Sequence, residues 1–182
     1  MFPILPKREF LLLGKAYAAF GRILGLPDDQ FYAVEERVSL WSPAQEIYHI
    51  GLTNRGSFEK IETLYRDRDP AIIQRGRASF GALLVLTLGA FPRGVAKAPP
   101  ELEPPPEVMR EEVRAIFEET KKQMTSLAQR AEAIAELTGR IDNPPLGKLK
   151  ATHLLKLARV HTQFHLRVTE RIVSARENRR KQ

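Results

Sequence analysis

Apolar side chains recur every three or four positions along most of the chain, the spacing that places them on one face of an α-helix. The first such segment runs from Lys7 to Gly25 and places on one face Phe10, Leu13, Tyr17, Phe20 and Leu24. Gly25 followed by Pro27 is a stop signal, because glycine favours the position after a helix and proline cannot continue one. The pattern therefore predicts an amphipathic helix over residues 7–25.

A second helix is predicted to start at Ser42. Ser42 can cap the helix, Pro43 suits its first position, and the side chain of Gln45 can reach back to complete a capping box. Trp41 precedes the cap, where it can pack as a hydrophobic staple or against a neighbouring helix. The residues that then recur at helical spacing are Ile47, Ile50, Asn54, Phe58, Ile61 and Tyr65.

Asp69 and Pro70 predict the cap and first turn of a further helix that runs to Leu88. Residues 91–107 follow, and six of the thirteen prolines lie here: Pro92, Pro99, Pro100, Pro104, Pro105 and Pro106. Proline removes a backbone donor and fixes φ, so no regular element can continue through this segment. We expect an extended connection that wraps the bundle, with a flexible linker as the alternative.

The C-terminal half predicts two more helices. One extends from Glu107 to Thr138 on a stripe of Val113, Ile116, Phe117, Met124, Leu127, Ala131 and Ile134. Residues 143–147 (NPPLG) predict a turn, and the last helix is expected from about Lys150 to Arg176. Little or no sheet is expected, because no stretch alternates apolar and polar residues. The chain is predicted to be all-α, one bundle domain over residues 1–175 with a proline-rich crossover and an extra helix, then a basic tail over residues 176–182.

Composition narrows the possible functions. Among 182 residues, 43% are hydrophobic, 28% are charged and none is cysteine, which excludes disulfides, thiolate nucleophiles and cysteine-ligated zinc. The most apolar stretch, from Phe80 to Phe91, is shorter than the roughly 20 residues that a spanning helix needs. Charged residues follow the first apolar residues too soon for a secretory signal. We expect a soluble, cytoplasmic protein without a membrane partner.

The net charge of +7 is partly a property of the C-terminal tail, which has four basic residues and one acidic residue. A basic tail can bind nucleic acid or anionic lipid. A solvated, fraying helix end is the interpretation we favour, because no aromatic residues interleave with these charges and cations are favoured near a helix C-terminus. A nucleic-acid partner is therefore not expected.

Two histidines lie on the apolar face of the last helix. At about 100° per residue, His161 and His165 fall on the same narrow stripe as Leu154, Ala158, Val168 and Ile172. Imidazoles one helical turn apart converge on a point beside the helix, as helical histidine pairs do when they chelate a divalent metal. A single histidine there would more often be a hydrogen-bonded core residue, but two neutral imidazoles in a core both need partners. The pair favours metal binding.

A third ligand is not evident from periodicity. His153 lies about 100° from the stripe and is expected at the flank or in solvent. His49 lies three residues after Glu46 on the second helix, away from the Ile47–Ile50–Phe58 stripe. Helix geometry alone favours exposure of His49, although the small and polar residues of its sector can equally line the mouth of a pocket.

Three segments resemble a known family. Residues 41–50 (WSPAQEIYHI) are similar to the W-S-x-x-E/Q-hydrophobic-x-H-L pattern that opens the second helix of DinB-like (YfiT-like) bundle proteins. Residues 143–149 (NPPLGKL) and 161–167 (HTQFHLR) resemble the closing pattern H-P-x-F-G-x-L…H-x-x-H-H-L-R-Q of that superfamily. The resemblance implies an up-down-down-up four-helix bundle in which His49, His161 and His165 bind one divalent metal ion, nickel or zinc.

The resemblance also implies a class of function. Relatives include thiol S-transferases, isomerases and proteins labelled as hydrolases, so we expect a metal-dependent enzyme acting on a small molecule, with a low-molecular-weight thiol as a candidate partner. A non-catalytic metal-binding or stress-associated protein is the alternative. The resemblance further implies that the chain can form a homodimer. Phe164 and Val168 depart from the family pattern and change the polarity of the pocket without removing a ligand.

Two residues near the predicted ligands bear on chemistry. Thr162 stands where zinc peptidases carry glutamate, so peptidase activity is not expected. Glu46 is one helical turn from His49 and can orient that imidazole as a carboxylate behind the ligand. An acidic residue in the first turn of a helix is equally explained by the helix dipole.

Overall fold

A computed structural model of the chain describes residues 3–66, 72–90, 98–144 and 146–180. In these residues the α-helices are α1 (Pro6–Ile23), α2 (Asp28–Phe31), α3 (Pro43–Arg66), α4 (Phe80–Leu88), α5 (Arg110–Ala128), α6 (Ala131–Glu136) and α7 (Ala151–Arg180). A 3₁₀ turn spans Pro100–Leu102, and two short strands, β1 (Ile141–Asn143) and β2 (Gly147–Leu149), pair antiparallel. The predicted all-α class is confirmed.

Helices α1, α3, α5 and α7 form the bundle, and side-chain pairs between them give their directions. Helix α3 runs parallel to α5, because Gly51 packs on Ile116 and Arg55 reaches Glu119 further along both helices. Parallel neighbours need a crossover, and the chain between α3 and α5 supplies it.

Helix α7 runs parallel to α1 and antiparallel to α3. On α1, Glu9 pairs with Arg159 of α7, and the later Tyr17 shares the Asn54 side chain with the later Thr162. On α3, His49 lies beside His165, whereas the later residue Asn54 bonds to the earlier Thr162. Helix α1 is antiparallel to α5, because Arg110 at the start of α5 donates to the carbonyl of Leu24 just after α1 ends. The result is the predicted up-down-down-up bundle.

A buried polar layer crosses the apolar core at mid-height. Asn54 is fully buried and donates to the hydroxyl of Tyr17 at 2.9 Å and to that of Thr162 at 3.0 Å. The Thr120 hydroxyl, also buried, lies beside Tyr17 and donates to the carbonyl of Ile116. Each bundle helix contributes one member, so the layer ties their relative heights together.

The helix predicted from Asp69 to Leu88 is much shorter in the structure. Asp69 and Pro70 lie outside the described residues, and α4 begins only at Phe80, where the Ser79 side chain accepts from the backbone N–H of Ala82. Residues 72–79 instead run beside the β1–β2 hairpin, with Ala78 bridged to Gly147. Gly147 has φ of +81°, and a Cβ there would lie 2.8 Å from the carbonyl oxygen of Arg77. This close approach requires glycine.

The single helix predicted over residues 107–138 is two helices. The break lies at Arg130, whose φ of −107° and ψ of 19° leave the helical region. The Arg130 guanidinium binds Glu62 and lies 4.8 Å from the centre of the Tyr65 ring, which holds this corner against α3. Leu127, Ala131 and Ile134 are all buried, so the apolar stripe continues across the break. The sequence pattern therefore gave no sign that the helix ends there.

The last helix continues beyond its predicted end at Arg176, through Arg180. Arg176 donates to the carbonyl of Val34 at 3.0 Å, and Arg179 forms an ion pair with the buried carboxylate of Glu35. Both arginines are therefore bonded to the segment before α3, although the Arg179 side chain is 57% exposed, as expected for a solvated helix end. No helix in the described part of the chain combines the length and apolar character needed to cross a bilayer.

The proline-rich connection is described from residue 98 onward, and residues 91–97 lie outside the described part. After the 3₁₀ turn it passes over the start of α3, where the Gln45 side-chain amide donates to the carbonyls of Pro105 and Pro106, both at 3.1 Å. The capping box predicted for α3 also forms, with Ser42 N–H donating to Gln45 at 3.0 Å. The Gln45 side chain thus binds the proline-rich connection close to His49, the predicted metal ligand on α3.

Candidate metal centre

Three of the four histidines meet where the start of α3 crosses the middle of α7. His49, His161 and His165 each offer one ring nitrogen to a group whose members lie within 4.8 Å of one another. His161 and His165 are one turn apart on α7, so their rings project from the same face, and His49 enters from the antiparallel neighbour. His153 lies outside this cluster, half-buried on the flank of α7.

The ring of His165 is oriented by a carboxylate from the other helix. Its Nδ1 lies 2.5 Å from Oε2 of Glu46, and the Ser39 hydroxyl donates to Oε1 of the same carboxylate at 2.7 Å. Glu46 is 1% exposed and His165 is 8% exposed. The sequence had suggested that Glu46 orients His49, but the structure directs its carboxylate across the helix interface to His165.

His49 is buried rather than exposed, contrary to the expectation from helix periodicity. It is 3% exposed, and its Nδ1 donates to the carbonyl oxygen of Leu102 at 2.7 Å. The Trp41 ring lies 4.9 Å from the imidazole, centre to centre. The side of α3 that carries His49 looks solvent-facing when this helix is considered alone. In the structure, Leu102 of the proline-rich connection and Trp41 cover it.

His161 completes the cluster. Its Nδ1 lies 3.4 Å from Oγ1 of Thr53, whose hydroxyl also lies within bonding distance of the carbonyl of Ile50. Its Nε2 lies 3.0 Å from Nε2 of His165. Each of the three Nδ1 atoms therefore has an oxygen neighbour: a carbonyl, a hydroxyl and a carboxylate. Metal-ligating histidines characteristically have such partners behind them.

The contact between the two Nε2 atoms tests whether this donor set fits a cation. While Glu46 is ionised, Nδ1 of His165 donates to it, so Nε2 of His165 presents a lone pair to His161. If the proton of His161 is on Nδ1, beside the Thr53 hydroxyl, its Nε2 presents a second lone pair. In that tautomer the contact is repulsive unless a positive charge lies between the nitrogens, whereas in the other tautomer Nε2–H of His161 donates to Nε2 of His165. An ion bound at about 2.0–2.1 Å from each imidazole nitrogen can span a 3.0 Å separation. The residues present fit a divalent metal.

Burial makes the cluster electrically neutral rather than cationic. Desolvation lowers the pKa of all three histidines, that of His165 to about 3, and the neighbouring imidazoles lower the pKa of His161 and His165 further. Desolvation also raises the pKa of Glu46 to about 7, against the opposing effects of the Ser39 hydroxyl and of His49. Neutral imidazoles are the form that binds metals.

The residues surrounding the cluster include several that the sequence did not reveal. Leu102 acts through its backbone carbonyl, which no side-chain pattern marks. Ser39 lies in a short irregular segment, where periodicity carries no signal. Phe164, one of the departures from the family pattern, places its ring 5.1 Å from that of His165 and makes this side of the site apolar.

One comparison with known proteins gives a match. The family model described as the DinB superfamily matches residues 14–169, a range that contains His49, His161 and His165 as well as Glu46. No curated protein and no solved structure matches the chain.

Proposed function

The chain belongs to the DinB superfamily, and we propose that its function is to hold one divalent metal ion on His49, His161 and His165. The observation that carries the proposal is the meeting of three imidazoles whose other ring nitrogens already have oxygen partners. Two of those imidazoles bring Nε2 atoms to 3.0 Å of each other, a separation that a single bound cation can span. Nitrogen ligands suit nickel and zinc, and these are the ions we propose.

An enzyme is the first of two candidate roles. Three protein ligands leave coordination positions for a water molecule or a substrate atom, as in catalytic rather than structural zinc sites. When bound, the ion would supply Lewis-acid activation of a small-molecule ligand, and a low-molecular-weight thiol is the candidate substrate for S-transferase chemistry, with hydrolase-like chemistry as the other possibility. Within the chain, the Glu46 carboxylate can hold the proton on Nδ1 of His165, which fixes the nitrogen that faces the ion.

Peptidase chemistry is disfavoured by the surroundings of Thr162. This side chain is fully buried, donates to the carbonyl of Ala158 at 2.7 Å and receives a hydrogen bond from Asn54. It therefore belongs to the polar layer of the core and does not face the histidine cluster. No general base replaces the missing glutamate at this position.

A non-catalytic metal-binding protein, including a stress-associated one, is the second candidate role. The low exposure of His49, at 3%, and of His165, at 8%, favours it, because ligands buried in this way can hold an ion with little access for a substrate, and His161 alone of the three is partly exposed. The two roles predict different responses of the bound ion to added ligands.

The discriminating experiment uses cobalt as a visible reporter. Purified full-length protein is freed of metal with a chelator, loaded with Co²⁺ and titrated with a low-molecular-weight thiol. An enzyme with an open position gives one Co²⁺ per chain and a new sulfur-to-cobalt absorption band. One tightly bound Co²⁺ whose absorption spectrum does not change when thiols or small anions are added supports the non-catalytic binding role. Failure to bind any Co²⁺, Ni²⁺ or Zn²⁺ would contradict both roles.

A further inference from the structure

A short irregular segment between α2 and α3 contacts the histidine cluster at one end and the C-terminal end of α7 at the other. We call residues 33–41 the strap. Near its start, the Glu35 carbonyl accepts from the N–H groups of Val38 and Ser39, at 2.7 and 2.9 Å, which closes a tight turn. Ser39 and Trp41, at its far end, both reach the cluster.

The hydroxyl of Ser39 has its hydrogen bonds fully assigned. It accepts from the backbone N–H of Trp41 at 3.1 Å, so its single proton is directed to Glu46, whose Oε1 lies 2.7 Å away. The other carboxylate oxygen holds Nδ1 of His165. Trp41 adds a second contact, because its ring is stacked on that of His165 with centres 6.2 Å apart and planes inclined by 20°.

The strap is fastened by the basic end of α7. Glu35 is 4% exposed, and a carboxylate so buried requires a charged or hydrogen-bonded partner. The Arg179 guanidinium supplies that partner, and Arg176 donates to the adjacent carbonyl of Val34. Contacts therefore run without interruption from Arg179 through Glu35 to Ser39, then through Glu46 to His165.

We propose that Ser39 is a positioning residue for the metal, and that the Arg179–Glu35 ion pair holds the strap in place for it. This inference rests on the proposed metal-binding function. Partners behind a metal ligand fix the orientation of its ring, and their loss typically weakens metal binding tenfold to a hundredfold. Arg176 and Arg179 thereby support the site from the far end of α7.

The test compares metal dissociation constants of the full-length variants Ser39→Ala and Arg179→Gln, measured by competition with a chromophoric chelator. We expect a loss of about tenfold or more in Zn²⁺ affinity for Ser39→Ala and a smaller loss for Arg179→Gln. Ser39→Thr, which keeps the hydroxyl, should restore most of the affinity. Ser174→Ala and Arg171→Gln are matched controls, since both side chains are exposed on α7, and their affinity should equal that of the wild type.

A positioning role differs from a merely structural one in two further readouts. The Co²⁺ spectrum of Ser39→Ala should differ from that of the wild type, because the ring of His165 is no longer held. In the Glu46→Gln background, Ser39→Ala should weaken binding little further, since Ser39 acts through that carboxylate. A lowered melting temperature with unchanged affinity and unchanged Co²⁺ spectrum would overturn the inference while leaving the metal site intact. A wild-type protein that binds no metal would overturn both.

Discussion

Glu46, on the first turn of α3, places a carboxylate oxygen 2.5 Å from Nδ1 of His165 on α7. The two residues are 119 positions apart, and each is almost fully buried. The pair joins the two antiparallel helices that supply the candidate ligands, and it selects Nε2 of His165 as the nitrogen that faces His161. Metal binding by this chain is therefore expected to depend on a residue that is not itself a ligand.

Loss of either α7 histidine should abolish stoichiometric metal binding without unfolding the bundle. His161→Ala and His165→Ala each remove one of the three proposed ligands, whereas the core that holds the helices together is mostly aliphatic. We expect bound metal well below one ion per chain, nearly unchanged helicity by circular dichroism, and a metal-free stability lower by about 1–3 kcal/mol from the cavity and the orphaned partner groups.

His153→Ala is the matched control for these variants, because His153 is on the same helix but outside the cluster. It should retain the wild-type metal content. The assignment of the α7 pair would be refuted by full metal content in His161→Ala or His165→Ala, or by an equal loss in His153→Ala.

Metal affinity should fall as the pH drops below about 7. Burial raises the pKa of Glu46 to about 7, so below that pH the metal-free protein carries a proton on this carboxyl group. A bound cation favours the ionised carboxylate, so binding releases that proton. Metal affinity is therefore at its full value at pH values above the raised pKa of Glu46. Below that pKa it declines by up to about tenfold per pH unit, since one proton is released.

Calorimetric titration with Zn²⁺ in buffers of different ionisation enthalpy measures this proton release directly. Close to one proton per ion is expected at pH 6, and far fewer at pH 8. An equal number of protons at both values, or a dissociation constant that is flat between them, would show that Glu46 does not control the site.

Close packing of α3 on α5 makes Gly51 intolerant of a side chain. A Cβ at this position would lie 2.8 Å from both Cγ atoms of Ile116, a residue that is itself buried. Gly51→Ala should therefore destabilise the protein by about 1–3 kcal/mol through overpacking. Urea denaturation measures the change.

Gly56 on the same helix provides the control, because nothing lies within 4 Å of a Cβ built there. Gly56→Ala should stabilise the protein by about 0.5–1 kcal/mol, since alanine is the better helix former. Similar effects of the two substitutions would contradict the parallel α3–α5 packing described above.

The polar layer at mid-bundle should be important for stability and separate from metal binding. Asn54→Ala removes the donor that satisfies the hydroxyls of Tyr17 and Thr162, both of which are buried. We expect a loss of about 1–3 kcal/mol in the free energy of unfolding, with metal stoichiometry retained. A change below about 0.5 kcal/mol would mean that the layer is hydrated or rearranged in solution.

The periodicity of apolar residues was sufficient to place those site residues that lie on a continuous apolar stripe. His161 and His165 share such a stripe with Leu154 and Ala158 and were predicted to point at the core, and the structure places both rings against His49 of α3. His49 could not be placed in this way, because what buries it is the Leu102 carbonyl, more than 50 positions later, together with Trp41. Contacts of that kind depend on how separate segments pack, and no property of α3 alone encodes them.

The same limit explains the incorrect helix boundaries. The apolar stripe of α5 continues into α6, so the corner at Arg130 left no trace in the pattern; it depends on Glu62 and Tyr65 from another helix. The partner of Glu46 was predicted one turn away on the same helix, whereas the structure directs its carboxylate to a residue of α7. Local signals such as the Ser42–Gln45 capping box, which need no distant partner, were predicted correctly.

The central claim is that one divalent ion is held by three histidines, and His49 is the ligand that only the packed structure brings to the others. Elemental analysis of the purified full-length chain, beside His49→Ala prepared identically, tests it most directly. The account predicts close to one nickel or zinc per wild-type chain after reconstitution and far less than one for His49→Ala. A wild-type protein without stoichiometric metal, or a His49→Ala protein that retains the full amount, would contradict it.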